Sequence, residues 1–241
     1  MKLSGNKILI TGATSGIGEA LLKRFLDLDN EIIAVGRNQS KLDELAQQSP
    51  STIPYKCDLA NIVEVIELAD FVKAEHPDLN ILINNAGIQY NYSFSTKESR
   101  SNEIEEELKI NLISPAILTQ ALFSTLTQNN SSAIVNISSA LGIVPKKEAA
   151  VYCASKGGLH LFSKALRYDA KKVKVFEIIP SLVETNMTKG RGKGKITPNE
   201  LVAEFIKAFK KDKLEINIGK VKLLRLIHQI SPQIAQRIIN K

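Results

Sequence analysis

Short apolar runs alternate with longer amphipathic stretches along most of the chain, and this alternation constrains the fold more than any other feature. The runs KILIT, EIIAV, ILIN and AIVNI are apolar at nearly every position, whereas the stretches between them repeat apolar residues at helical spacing. Strands that are apolar on both faces are typical of a parallel sheet with helices packed on each side. The pattern predicts a doubly wound, three-layer α/β/α protein whose ligand site lies at the carboxyl ends of the strands.

The predicted elements follow this alternation from the first apolar run onward. Strands are predicted at 7–11, 31–35, 53–57, 81–84, 133–137 and 174–179, with a possible last strand at 215–219. Helices are predicted at 18–28, 41–48, 62–75, 103–126, 151–169 and 201–210. We expect the whole chain, 1–241, to form one domain.

Two segments depart from the regular alternation. The connection 181–198 is rich in Gly, Lys and Thr and is longer than a usual strand-to-helix loop, which predicts a substrate loop that acts as a lid or is mobile. The tail 220–241 carries Leu224, Ile227, Ile234 and Ile238 at roughly helical spacing between basic residues. This basic amphipathic tail indicates a packing or subunit face, with a helix on a membrane surface as the alternative.

Charge and composition exclude several other classes of protein. The formal net charge is +7, but the basic residues are scattered, and the densest group at 189–195 has no aromatic residues interleaved with it. We therefore expect no nucleic-acid partner, and we interpret the basic group as a solvated loop or as an attraction for an acidic substrate. Two cysteines and three histidines give neither a disulfide framework nor metal-ligand spacing. Without a signal peptide or an apolar run near ~18 residues, a cytoplasmic location is expected.

The segment ILITGATSGIGEAL places Gly12, Gly16 and Gly18 between the first strand and the first helix. Glycines in such a turn let the backbone approach a pyrophosphate, and the helix N-terminus offers N–H groups and the positive end of its dipole. The same glycines also suit a tight turn that binds nothing. The second strand ends at Arg37, where an acidic residue would bind the ribose hydroxyls of NAD. Because arginine suits the additional 2′-phosphate, Arg37 favours NADP(H) over NAD(H).

The segment VYCASK places Tyr152 and Lys156 one helical turn apart, so that their side chains share a face. A phenol ionises near pH ~10, and a neighbouring ammonium group favours the phenolate and lowers its pKa. The pair therefore predicts a general acid/base that exchanges its proton near neutral pH.

Three motifs, TGATSGIG, NNAG at 84–87 and YCASK, lie in this order within residues 5–185 and together resemble the short-chain dehydrogenase/reductase family. The resemblance implies a Rossmann-type domain with seven parallel strands, a nicotinamide cofactor and a catalytic tetrad of Asn111, Ser139, Tyr152 and Lys156. Ser139 is selected because the family's serine lies thirteen residues before the tyrosine, and Ser138 alternates away from it.

The resemblance also implies a set of cofactor contacts at the ends of several strands. Besides Tyr152 and Lys156, they are Gly12, Thr14, Ser15, Gly16, Ile17, Gly18, Arg37, Asp58, Leu59, Asn85, Ala86, Gly87, Pro180, Val183 and Thr185. The sequence departs from the family at Ser181, where a glycine is usual, and at Ser15, which is not the basic residue of many NADP-preferring members. It also lacks the glycine-rich ending common in the family's tetramers.

These observations predict an oxidoreductase that transfers a hydride between NADP(H) and a small-molecule carbonyl or secondary alcohol. Tyr152 is expected to exchange the proton, Ser139 to orient the substrate oxygen, Lys156 to hold the nicotinamide ribose, and Asn111 to support a water molecule. A homo-oligomer, either a dimer or a tetramer, is expected from the resemblance. The substrate pocket is expected to have walls at Tyr90, Tyr92, Phe94, Leu141, Ile143 and Met187. The alternatives are a cofactor-binding redox sensor without turnover and a membrane-surface reductase held by the tail.

Overall fold

Seven parallel strands form one sheet in the computed structural model, which describes residues 1–95 and 97–240. The strands are β1 (Lys7–Thr11), β2 (Glu31–Gly36), β3 (Thr52–Lys56), β4 (Ile81–Asn84), β5 (Ser132–Ile137), β6 (Val173–Pro180) and β7 (Glu215–Ile218). Their order across the sheet is β3-β2-β1-β4-β5-β6-β7. The strand order reverses between β1 and β4, and an open α/β sheet binds its ligand at such a switch point. The predicted doubly wound α/β class is confirmed.

The connecting helices cover both faces of the sheet. They are α1 (Gly16–Leu26), α2 (Gln39–Gln48), α3 (Ile62–Glu75), α4 (Ser101–Leu108), α5 (Ser114–Thr127), α6 (Ala150–Asp169) and α7 (Pro198–Lys210). On one face, the rings of Phe25 in α1 and Phe205 and Phe209 in α7 pack edge to face beneath the sheet. On the other face, Val65 and Leu68 of α3 pack with Leu122 of α5. The central strands are apolar on both faces because both faces are buried in this way.

The helix predicted at 103–126 is divided into α4 and α5 by a turn of π-helix at Lys109–Ile113. Pro115 lies in the first turn of α5, where its missing N–H costs least. The helical stretch Ser101–Gln128 is long enough and, with a mean hydropathy of 1.3, apolar enough to span a membrane by length and composition. Polar residues interrupt it, so it contains no continuous apolar run long enough for a span. Half of that apolar window is buried, and α5 packs on α3 and β5, so this stretch behaves as an internal helix.

The tail folds into two helices, α8 (Val221–Ile230) and α9 (Pro232–Ile239), hereafter the C-terminal helical pair. Its inner side packs Val221, Leu224 and Ala235 against the chain that follows β5 and against β6. Its outer side leaves five large apolar side chains roughly half exposed or more: Leu223, Leu226, Ile230, Ile234 and Ile238. Of the four residues at helical spacing, Leu224 and Ile227 pack inward, whereas Ile234 and Ile238 lie about half exposed, so the predicted packing face is only partly correct.

Candidate active site

A crevice of about 840 Å³ crosses the carboxyl ends of the strands. It begins at Arg37 beyond β2, passes the loop between β1 and α1, and reaches Tyr152 on α6. Nearly all the residues implicated by the motifs line it, because parallel strands bring their carboxyl ends to one edge of the sheet. The two exceptions are Gly18 and Asn111, both buried beside it.

The glycine loop has the backbone geometry that its sequence predicts. Gly12 and Gly16 have φ values of +65° and +57°, in the left-handed region that favours glycine. A Cβ atom at Gly12 would lie 3.0 Å from the Cα atom of Ala86, in the loop after β4. Gly16 begins α1, so the first N–H groups of that helix point into the crevice without a partner in their own helix. The glycines leave the space beside the backbone open at the N-terminus of a helix, and this arrangement fits a pyrophosphate.

Gly18 has a packing role, and its assignment as a cofactor contact stays a prediction. A Cβ atom there would lie 2.1 Å from the Gly12 carbonyl oxygen and 2.5 Å from Asn85 Nδ2. Its missing side chain therefore allows α1 to approach the end of β1 rather than allowing a ligand to approach the loop.

Thr11 at the end of β1 holds the loop after β4 in place. Its Oγ1 atom accepts hydrogen bonds from the backbone N–H groups of Asn85 at 3.0 Å and Ala86 at 3.1 Å. The Asn85 side chain returns a bond from Nδ2 to the Thr11 carbonyl oxygen at 2.8 Å. These bonds fix the wall of the crevice beside the glycine loop.

Two basic side chains line the end of the crevice beyond β2. Arg37 is 56% exposed, and its guanidinium lies 3.4 Å from a Glu106 oxygen. Lys41, in the first turn of α2, lies beside it, and sequence reasoning missed this second cation. At this end the single acidic lining residue of the described chain is Asp58, whose Oδ1 atom accepts the Ala60 backbone N–H at 3.0 Å.

Ser139, Tyr152 and Lys156 meet at the opposite end of the crevice. The Ser139 and Tyr152 hydroxyls are within hydrogen-bond contact, and Tyr152 is 8% exposed. The Lys156 ammonium donates to the Ile137 carbonyl oxygen at 2.8 Å and lies 6.0 Å from the centre of the Tyr152 ring. Ser138 points away, as predicted, and donates to the buried Glu177 carboxylate at 2.6 Å.

Asn111 supports this group from the π-helical turn without lining the crevice. Its Oδ1 atom accepts the Ile88 N–H at 2.9 Å, and its Nδ2 atom donates to the Ile88 carbonyl oxygen at 2.9 Å. The position that a Cβ atom at Gly87 would take lies 3.2 Å from Asn111 Oδ1 and 3.3 Å from Lys156 Nζ. The glycine therefore allows an acceptor and a donor to approach the loop after β4 closely.

The pKa of Tyr152 differs from the sequence expectation. Burial raises it from 10.0 to about 12, whereas the hydrogen bond from Ser139 acts in the opposite direction. Burial also lowers the pKa of Lys156 from 10.5 to about 8, opposed by the Glu107 carboxylate. Desolvation of the phenolate therefore outweighs the stabilisation that the Ser139 hydroxyl gives to the phenolate. Tyr152 is held as a neutral phenol, which is the form that donates a proton.

Glu107, the last residue of the acidic run 103–107, is a buried acid near the tetrad. It lies one turn before Asn111 on the same side of the helix, and its side chain has no exposed surface. Its Oε1 atom accepts the Tyr90 N–H at 3.1 Å, whereas Oε2 has no partner within the described chain. Burial raises its pKa from 4.5 to about 7, and the Tyr90 N–H and Lys156 act in the opposite direction.

Glu107→Gln is expected to stabilise the protein at alkaline pH. Because the pKa of Glu107 in the folded protein lies above its ordinary value, ionisation of this carboxyl lowers the free energy of unfolding. The loss is absent below pH 4.5 and complete above about pH 7. Glutamine keeps an acceptor for the Tyr90 N–H but never ionises. Urea unfolding should therefore show a stability gain of about 2 kcal/mol at alkaline pH that fades toward acid pH.

Glu105→Gln is the matched control, because this exposed carboxylate pairs with Lys109 and its pKa is lowered. It should give no gain at alkaline pH. A pH-independent effect of Glu107→Gln would contradict the assignment of a buried titrating acid.

The predicted substrate walls are only partly correct. Leu141 and Met187 line the crevice, whereas the other four candidates lie outside its lining: Tyr90, Tyr92, Phe94 and Ile143. Tyr90 donates its hydroxyl to Glu106 at 2.6 Å, and Phe94 is 66% exposed. Their place is taken by six residues at the start and end of the C-terminal helical pair that sequence reasoning missed: Val221, Leu223, Leu224, Ile227, Ile238 and Ile239.

One group of potential metal ligands lies behind the tetrad, where the sequence predicted none. Atoms of His160, Glu177 and Glu215 fall within 4.8 Å of one another. The two carboxylates already have partners, since His160 Nδ1 lies 2.9 Å from Glu177 and Arg225 pairs with Glu215. These ion pairs account for the cluster as a structural network.

Sheet order, glycine loop and crevice together define a Rossmann-type nucleotide-binding oxidoreductase. A model of the short chain dehydrogenase family matches residues 6–195, and the chain belongs to this family. An uncharacterised oxidoreductase of Bacillus subtilis, DltE, is 36% identical over 233 residues, covering 93% of this chain and 92% of its own.

Solved structures show the same fold with either nucleotide. A short chain dehydrogenase from Burkholderia cenocepacia in complex with NADP has a TM-score of 0.88 at 22% identity, covering 100% of both chains. A short chain dehydrogenase/reductase from Burkholderia phymatum in complex with NAD has a TM-score of 0.84 at 20% identity, covering 95% of this chain and 96% of its own. The choice between the nucleotides therefore depends on this chain's own residues.

Proposed function

We propose that the protein is an NADP(H)-dependent reductase of carbonyl compounds. The observation that carries the proposal is the neutral Tyr152 phenol in contact with Ser139 and close to Lys156, at the end of a crevice whose glycine loop fits a dinucleotide. A sensor without turnover would need the glycine loop but not a buried proton donor.

The residues act on the carbonyl oxygen while a bound nicotinamide supplies the hydride. The Ser139 and Tyr152 hydroxyls both donate hydrogen bonds to that oxygen, which fixes its orientation. Tyr152 transfers its proton to the oxygen as negative charge develops on it, and Ser139 stabilises that charge. The buried Lys156 ammonium stabilises the phenolate that remains and holds the nicotinamide ribose.

Asn111 and Lys156 serve the return of the proton. A water molecule that accepts from Lys156 Nζ beside Asn111 would relay the proton, and both side chains lie close to Gly87. Because both amide atoms of Asn111 are fixed by Ile88, this water would have a constant position. The reverse reaction, oxidation of an alcohol, requires the phenolate and should accelerate as pH rises toward the pKa of Tyr152.

NADP(H) is the proposed cofactor because Arg37 and Lys41 line the end of the crevice that would hold the adenosine 2′-phosphate. Arg37→Asp is expected to weaken NADPH binding about 10-fold to 100-fold and to leave NADH binding nearly unchanged. Fluorescence titration with both nucleotides measures this. Arg24→Asp, an equal charge change on an exposed residue outside the crevice, is the control. Tighter binding of NADH by the unmodified protein would overturn the choice of cofactor.

A further inference from the structure

The C-terminal helical pair closes the substrate side of the crevice with an apolar wall. Leu224 and Ile227 of α8 and Ile239 of α9 line the interior, and Leu141 continues the same surface to the side of Tyr152. A carbonyl group held by Ser139 and Tyr152 would therefore have its attached chain against aliphatic side chains. Such a surface favours a ligand that removes apolar area from water.

The apolar wall continues beyond the crevice to the protein surface. Leu223 and Ile238 line the crevice although they are 60% and 46% exposed, so they form its rim. Aliphatic side chains at the mouth of a crevice offer apolar area that a bound chain would remove from water. A chain that extends from Tyr152 along the wall would reach this rim.

Three lysines surround the same rim. Lys146, Lys193 and Lys220 line the crevice, and none has an ion-pair partner within residues 1–95 and 97–240. The Lys220 ammonium lies 3.2 Å from the position of a Cβ at Gly194, so it is adjacent to Lys193. Lys146 lies beside the end of α9, because the next N–H along the chain donates to Asn240.

Among the described residues that line the crevice, the one acidic side chain is Asp58. It lies at the far end, away from the rim lysines. Unpaired cations around an apolar opening complement an anion attached to an apolar chain.

We propose that the substrate is an amphiphilic anion: a carbonyl compound with an extended apolar chain that lies along the C-terminal helical pair and ends in a carboxylate or phosphate held by the rim lysines. This assignment rests on the proposed function, because it places the carbonyl group at Ser139 and Tyr152. A carboxylate and a phosphate both present negatively charged oxygen atoms to the lysines, and the binding experiment compares the two groups.

The test measures binding separately from turnover. The protein is saturated with NADP⁺, which cannot reduce a ketone, and is titrated calorimetrically with straight-chain methyl ketones of five and ten carbons. Burying methylene groups strengthens binding about fourfold each, so the longer ketone should bind about 30-fold more tightly or better, allowing for partial burial. A carboxylate or a phosphate at the far end of the ten-carbon ketone should improve binding a further threefold to fivefold, as about 1 kcal/mol at an exposed site allows. The more strongly bound of the two identifies the source of the charge.

Substitutions at the rim test the two halves of the ligand separately. Leu223→Ser with Ile238→Ser should remove part of the chain-length preference, whereas Leu226→Ser with Ile234→Ser, on the same helices but outside the lining, should leave it unchanged. Lys146→Gln, Lys193→Gln and Lys220→Gln together should abolish the preference for the charged ketones and leave the neutral ketone unaffected. Lys222→Gln, exposed on α8 outside the lining, is the control for charge.

The outcomes separate this proposal from the function on which it rests. Equal affinity for the five-carbon and ten-carbon ketones, in protein that binds NADP⁺, would overturn the substrate class alone. A chain-length preference that is as large after the Leu223→Ser and Ile238→Ser substitutions as before them would also overturn it, since the chain would then lie elsewhere. Failure to bind either nucleotide would overturn the proposed function together with this assignment.

Discussion

Tyr152→Phe is expected to lower the turnover of a carbonyl substrate about 10²-fold to 10⁴-fold, the usual contribution of a positioned general acid. The phenylalanine ring fills the same buried space, so folding and NADPH binding should change little. What disappears is the hydroxyl group that contacts Ser139 and donates the proton. Ser139 alone can still hydrogen-bond the carbonyl oxygen, but a serine hydroxyl is a much weaker acid than a phenol and replaces it poorly as the proton donor.

Tyr168→Phe is the matched control, because this tyrosine lies on the same helix and is 82% exposed. It should be indistinguishable from the unmodified protein. Single-turnover reduction with saturating NADPH, together with a fluorescence titration of NADPH, separates chemistry from binding. Unchanged turnover in Tyr152→Phe would contradict the role of Tyr152 as proton donor, whereas a lack of turnover in the unmodified protein would favour a cofactor-binding sensor.

The fold and the main groups of the site could be predicted because each depends on a local pattern. The strand runs are apolar on both faces only in a covered parallel sheet, and that sheet brings the residues after β1, β4 and β5 to one edge. The resemblance to the short-chain dehydrogenase/reductase family placed Ser139 with Tyr152, and the sheet explains why the two residues meet. The helical spacing of Tyr152 and Lys156 then placed the ammonium on the same side.

The parts that sequence reasoning missed depend on contacts between distant segments. Helical spacing in the tail shows that Leu224 and Ile227 share a face, but not that this face closes the crevice above Tyr152. Glu107 belongs to an acidic run that looks solvated, and only the approach of the Tyr90 loop buries it. The pKa of Tyr152 could not be predicted from its neighbour alone, because burial has the larger effect.

Gly18→Ala is expected to destabilise the protein by about 3 kcal/mol, at the upper end of overpacking in a core. The added methyl group would lie 2.1 Å from a backbone carbonyl oxygen, and neither α1 nor the end of β1 can move without disturbing the sheet. For a domain of this size, the melting temperature should fall by roughly 10 °C. Circular dichroism during heating measures the change.

Gly157→Ala is the matched control, since Gly157 is also a helical glycine of ordinary φ, and its added Cβ would lie 3.3 Å from the nearest atom. There the contact is tolerable and alanine favours the helix, so stability should stay within about 1 kcal/mol of the unmodified protein.

The comparison of the two variants distinguishes two roles for Gly18. A phosphate contact at this position would leave the melting temperature unchanged and weaken NADPH binding, whereas a packing glycine lowers the melting temperature without any nucleotide present. The distance of 2.1 Å between a Cβ added at Gly18 and the Gly12 carbonyl oxygen predicts the second result. The glycine motif would then combine two physical functions. Gly12 and Gly16 expose backbone to a ligand, and Gly18 allows α1 to approach the sheet.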